Sequence, residues 1–205
     1  MKQLWATLKT MSFKEAADYI WEYYKLHIIG TILGVAFLVS ILTTAFSEKE
    51  ELYELMVVTE IPYDVTEEFS NQLNEQYFSD FRVATDNIIS NGGTLSEQSY
   101  EQVQKLVARI ATGMIDAMVT DKVFAQELME QEGLLEFNKV IDVSLLEEHG
   151  VELYQFGSEN VYGISTNQLD VFNDNEAFQD RILIIPASSK NLDKTTIFLE
   201  ALLES

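Results

Sequence analysis

The sequence predicts an α/β domain, a mainly parallel sheet with helices on both faces, preceded by an amphipathic helix and one transmembrane helix. Three observations carry this. Ile28–Phe46, IIGTILGVAFLVSILTTAF, holds no charged side chain. At about 1.5 Å per residue such a run just covers the roughly 30 Å hydrocarbon core of a bilayer. Beyond it, short apolar β-branched runs alternate with stretches of helical period, the pattern of strands joined by crossover helices. The charge is also lopsided. Residues 1–46 carry four Lys and three Asp/Glu, whereas 47–205 carry nine Lys/Arg against 31 Asp/Glu, a net of −22.

Residues 1–26 are expected to form a cytoplasmic amphipathic helical segment. Ser12 and Glu15 make a capping-box pair, and Phe13, Ala16, Ala17, Ile20 and Tyr24 recur at helical spacing. That stripe suits the inner membrane surface, or a partner helix. Residues 27–46 are expected to span. Trp21, Tyr23 and Tyr24 lie at headgroup level just before the run, and Lys25 can snorkel outward. A cleaved signal peptide has a shorter leader and an apolar stretch of only about 7–15 residues, so an uncleaved signal anchor is expected. The lysines before the span place the N-terminus in the cytoplasm and the rest outside. Gly30 and Gly34, four apart, allow a close helix–helix contact, with a second copy or with another membrane protein.

Residues 47–51 read as a polar linker, and 52–205 as one extracytoplasmic domain large enough for a full core. Strands are expected at Leu52–Thr59, Phe81–Thr85 or slightly beyond, Met114–Thr120, Val161–Ser165 and Ile182–Ile185. Helices are expected at Thr66–Phe78, Ser96–Thr112, Val123–Gln131 and Thr195–Leu203, with Gly113 closing the second.

Composition excludes several classes. A domain at −22 repels nucleic-acid phosphates and anionic lipid surfaces alike. With no cysteine there is no disulfide, thiolate metal site or cysteine nucleophile. The two histidines, His27 and His149, have no catalytic constellation around them in sequence, and no phosphate-binding, dinucleotide or zinc-protease motif occurs. No enzymatic activity and no cofactor are expected. Asp170, Asp174 and Glu176, with Asp180, offer the oxygen ligands that calcium takes. Their spacing does not match an EF-hand loop, so a solvated acidic loop is expected and no metal. If a small ligand binds, a parallel sheet would hold it beyond the carboxyl ends of its strands, at Thr59, Glu60, Thr120, Asp121, Pro186 and Ser188. Thr120–Asp121 also suits a helix cap.

Tyr100–Gly133, YEQVQKLVARIATGMIDAMVTDKVFAQELMEQEG, leads a helix through Gly113 into Ile115, Asp116, Ala117, Val119 and Asp121, then into a helix carrying Phe124 and Leu128. Arg181–Leu203 carries an I-P-x-x-S-x-N step at Ile185, Pro186, Ser189 and Asn191, and Tyr162-Gly163-Ile164 precedes it. In this order the segments resemble the extracytoplasmic solute-binding proteins of bacterial ABC transporters. The anchor MSFKEAADYIWEYYKLHIIG is similar to those of uncharacterised Gram-positive membrane proteins. The resemblance implies a periplasmic-binding-protein-like lobe. Only about 20 residues separate Tyr162 from Arg181, which leaves no room for the family's second lobe. The expected function is therefore an accessory or regulatory subunit of a membrane assembly, such as a transporter, acting by protein contact. The alternative is a membrane-tethered receptor for a small solute.

Overall fold

The computed structural model describes residues 12–46, 52–78, 81–90, 94, 97–173 and 175–204. The chain divides into two compact units, Met1–Lys49 and Glu50–Ser205.

Among its described residues the first unit holds one helix, α1 (Phe13–Phe46, 34 residues), which runs unbroken across position 26. The Thr31 hydroxyl donates to the His27 carbonyl at 2.8 Å and so hides its polarity inside the helix. Every side chain from Ile29 to Val39 is exposed, including Ile32, Leu33, Phe37 and Leu38. Among the described residues no helix is long and apolar enough to cross a membrane. The expected span is therefore not recovered as such. The side chains of 40–46, the end of the uncharged run, and those of Phe13, Glu15, Ala16, Ala17 and Ile20, lie outside the described residues.

The second unit is built on one six-stranded sheet in the order β2-β1-β3-β6-β5-β4. β1 is Leu52–Thr59, β2 is Arg82–Ile89, β3 is Ala117–Thr120, β4 is Leu153–Tyr154, β5 is Gly163–Ser165 and β6 is Ile182–Ile184. Only β2-β1 and β1-β3 are parallel, while β3-β6, β6-β5 and β5-β4 are antiparallel. The sheet is thus mixed, not mainly parallel as its sequence suggested. The cause lies in the connections. A parallel return needs a crossover, usually a helix long enough to traverse the sheet. Between β5 and β6 the described residues hold only the four-residue α6 (Asp170–Asn173) and a 3-10 turn at Glu176–Phe178, and the chain doubles back.

β1 is central, and its alternate residues feed two cores. Tyr53, Leu55 and Val57 face the layer of α2 (Tyr63–Gln76) and α7 (Leu192–Leu203). There Tyr53 stacks on Phe198 (4.8 Å), which stacks on Phe78 (5.4 Å). Met56 and Val58 face α3 (Tyr100–Thr112) and α4 (Lys122–Glu130), under Leu106, Phe124 and Leu128. Both faces are covered, which is why β1 reads as a continuous apolar run. Ser99 caps α3 by accepting from the Gln102 amide, and Gly113 ends it at φ +65°. A short helix, α5 (Val143–Glu148), is capped by Asp142. Neither α5 nor the two-residue β4 stands out from local pattern.

Candidate functional site

Because β1, β2 and β3 run in one direction, their carboxyl ends meet at one edge of the sheet, with Thr59 beside Ile89 and Val58 beside Thr120. Thr59, Thr120 and Asp121 share this edge, as expected. Their polar atoms are turned inward. The Thr59 hydroxyl accepts from the Ile61 amide (3.2 Å), and the Thr120 hydroxyl donates to the Val58 carbonyl (3.2 Å). Asp121 caps α4 by accepting from the Phe124 amide at 2.9 Å. Thr59 and Thr120 are buried, whereas Glu60 is exposed. The Ser90 hydroxyl, at the end of β2, is buried without a hydrogen-bond partner among the described residues.

Pro186 and Ser188 are not at this edge. β6 is antiparallel to β3, with Ile182 opposite Thr120 and Ile184 opposite Met118, so the chain leaves β6 at the other end of the sheet. Pro186 bridges Leu134 there and is buried, and the Ser188 hydroxyl donates to the Ile110 carbonyl. The six expected ligand residues therefore split into two groups. The direction of one strand decides it.

The opposite edge holds a dense polar cluster. The Asp116 carboxylate, 2% exposed, accepts from the Glu54 amide at 2.8 Å and from Asn191 Nδ2 at 3.0 and 3.1 Å. Arg109, reaching down from α3, donates to both Glu54 on β1 and Asp86 on β2. Lys105 pairs with Asp86 at 2.9 Å. Burial raises the Glu54 carboxyl above its ordinary value, against the opposing pull of Arg109. The 186–191 loop is tied to the end of α3 as well, for Lys190 Nζ donates to the Thr112 carbonyl at 2.6 Å. A side chain at Gly113 would meet the Ser188 carbonyl at 2.5 Å, so the left-handed glycine also permits that close approach. This cluster fastens α3 and the loop to the sheet. Each carboxylate is satisfied within the chain. Asp116 appeared in the sequence as part of the helix–glycine–strand step. Glu54 was signalled only as a charge inside a strand, Asp86 as a charge at the far end of the predicted second strand, and Arg109 as a base between the core positions Leu106 and Ile110.

Near the carboxyl edge an open groove of about 480 Å³ lies between the start of α4 and β4, lined by Lys122, Gln126, Glu152, Tyr154 and Phe156 among others. The Tyr154 and Phe156 rings stack at 5.9 Å, and Lys122 Nζ stands 5.4 Å from the Tyr154 centroid. Partial burial, then Glu152, push the Tyr154 hydroxyl upward. Phe156 sits at φ +49°, a conformation that bulky side chains seldom adopt.

In the acidic loop, Asp170 and Glu176 are exposed, and Asp174 lies outside the described residues. Asp180 is held by Asn167, accepting from Nδ2 at 2.9 Å. No group of three or more metal-ligating side chains occurs among the described residues. At Gly30 and Gly34 an added Cβ would meet nothing within 4 Å.

No family model matches the chain, and no curated protein matches it. Among solved structures, the chain is similar to the spermidine/putrescine ABC transporter substrate-binding protein PotD of Streptococcus pneumoniae, at 10% identity and a TM-score of 0.42, over 74% of this chain and 78% of that one. It is also similar to the ABC substrate-binding protein Lmo0181 of Listeria monocytogenes, at 17% identity and a TM-score of 0.34, over 56% of this chain and 28% of that one. Both come from the class of protein that the helix–glycine–strand step resembles. At these identities and TM-scores neither likeness carries weight for function.

Proposed function

We propose that the chain is a single-span membrane protein whose 52–205 domain works outside the cytoplasm, by protein contact, as an accessory or regulatory subunit of a membrane assembly such as a transporter. The anchor rests on the uncharged run Ile28–Phe46 and on a helix that offers Ile32, Leu33, Phe37 and Leu38 to its surroundings on several sides. Water penalises such a surface and hydrocarbon does not. The four lysines before it favour an N-terminus inside.

Action by contact rests on one observation above all. Of the polar side chains at the carboxyl edge, Thr59, Thr120 and Asp121 are spent on backbone partners of the chain itself and the Ser90 hydroxyl is buried, which leaves Glu60 exposed. A binding site for a small molecule needs a few convergent polar groups that are free to turn to it. The groove at Tyr154 and Phe156 favours a second reading, a tethered receptor holding a solute against that aromatic pair.

The test is a thermal-shift series on the detergent-solubilised chain with sugars, amino acids, peptides and calcium, alongside mild-detergent co-purification. A flat series and a stoichiometric membrane-protein partner are the expected results. One ligand that raises the melting temperature in proportion to the logarithm of its concentration would favour the receptor. Recovery as a lone chain would count against the subunit.

A further inference from the structure

The outer face of α3 differs from the rest of the domain surface. Tyr100 (78% exposed), Gln104, Val107 and Ala111 are all exposed and lie in one stripe, three or four residues apart. The bases of the helix, Lys105 and Arg109, pair with Asp86 and Glu54 on the sheet, so the stripe itself carries no charge. Beside the stripe runs an apolar groove of about 180 Å³ between α3 and α4, lined by Leu106, Val107, Ile110, Ala111, Leu128, Gln131 and Gly133. A cavity of about 150 Å³ with apolar walls holds a benzene molecule, so this one can take one aromatic ring.

We propose that this face binds a second copy of the chain, α3 against α3, antiparallel about a two-fold axis between Gln104 and Val107. The stripe is self-complementary under that operation. Tyr100 falls opposite the partner's small Ala111, and Gln104 opposite its Val107. The Tyr100 ring then fills the neighbouring groove, a large residue entering where the facing helix is small. Ends match by charge too. Glu101 lies in the first turn, and Lys190 is held on the Thr112 carbonyl in the last, so antiparallel pairing brings each acid to a base. Two domains of net −22 repel one another, so a contact between them is expected to tighten as salt screens that repulsion, and the uncharged stripe adds no like-charge pair of its own. A two-fold contact of this kind is isologous and closes at the dimer. It does not depend on the membrane assignment, although confinement to one membrane would raise the effective concentration of the partner.

The full-length chain, free of native cysteine, suits a cross-linking test. Q104C chains mixed with V107C chains and mildly oxidised should give a covalent dimer. I197C chains, altered at an exposed position on α7, should not. By light scattering in detergent the unmodified chain should have twice its monomer mass, and Val107→Glu, at a half-exposed position, should halve that mass without altering the circular dichroism. A monomer mass for the unmodified chain would overturn the proposal. So would a V107E dimer, or equal cross-linking through I197C.

Discussion

The two ends of the sheet both carry polar side chains and have opposite characters. At the carboxyl edge of β1 and β3, Thr59 and Asp121 each make a short-range contact that finishes a strand or starts a helix, and the Thr120 hydroxyl only reinforces the pairing of two strands already side by side, through the Val58 carbonyl. At the other edge, Asp116, Glu54, Asp86 and Arg109 join positions up to 75 residues apart into one connected cluster. Polar residues at a sheet end are thus of two kinds, local punctuation and long-range fastening. Only the second kind ties separate elements to one another.

That contrast can be broken from either side. The largest effect is expected from Asp116→Ala, which strands the Glu54 amide and the Asn191 side chain in a buried site; it should cost about 3 kcal/mol of unfolding free energy, read by urea titration followed by circular dichroism. Arg109→Met keeps the packing stem but leaves Glu54 and Asp86 facing each other without their shared cation. A loss of about 2 kcal/mol is expected, smaller than for a fully buried pair because both carboxylates keep some contact with water. At the carboxyl edge, Asp121→Ala removes one helix cap and should cost about 1 kcal/mol. Glu60→Gln, on an exposed side chain, should stay within about 0.5 kcal/mol of the unmodified chain. If Asp121→Ala cost more than Asp116→Ala, the division between the two edges would fail.

Titration sharpens the same contrast. The raised carboxyl of Glu54 means that its ionised form is disfavoured in the folded state. Its contribution to stability is present below the ordinary carboxylate range and is lost as pH rises through the raised value. The difference in stability between the unmodified chain and Glu54→Gln should therefore move in favour of the unmodified chain as pH falls from neutrality toward the carboxylate range. A shift in the opposite sense would show that Arg109 outweighs burial.

How much of this could be read from the sequence follows the same line. β1 spans Leu52–Thr59 as predicted, because burial on both faces leaves an unbroken apolar run. The helix ending at Gly113 was legible from its period and its glycine. β2 runs on to Ile89, through Asp86 and Asn87, where the sequence predicts a strand ending at Thr85 or slightly beyond. Polar side chains in mid-strand mask a strand from local pattern. Here they are satisfied by partners far along the chain: Arg109 and Lys105 for Asp86, and the Ile61 carbonyl for Asn87. The direction of β6 was not legible at all, since an apolar run of three has no polarity. That single unknown scattered the expected ligand residues, moving Pro186 and Ser188 to the far edge. α1 shows the converse case. Its apolar run is plain in the sequence, and what that run means depends on the solvent around it.

The most direct test of the central claim is fractionation of cells that express the untagged, full-length chain, with the membranes washed in alkaline carbonate. The account predicts that the chain stays in the pellet and is released only by detergent. Recovery of the chain in the supernatant before any detergent is added would contradict it.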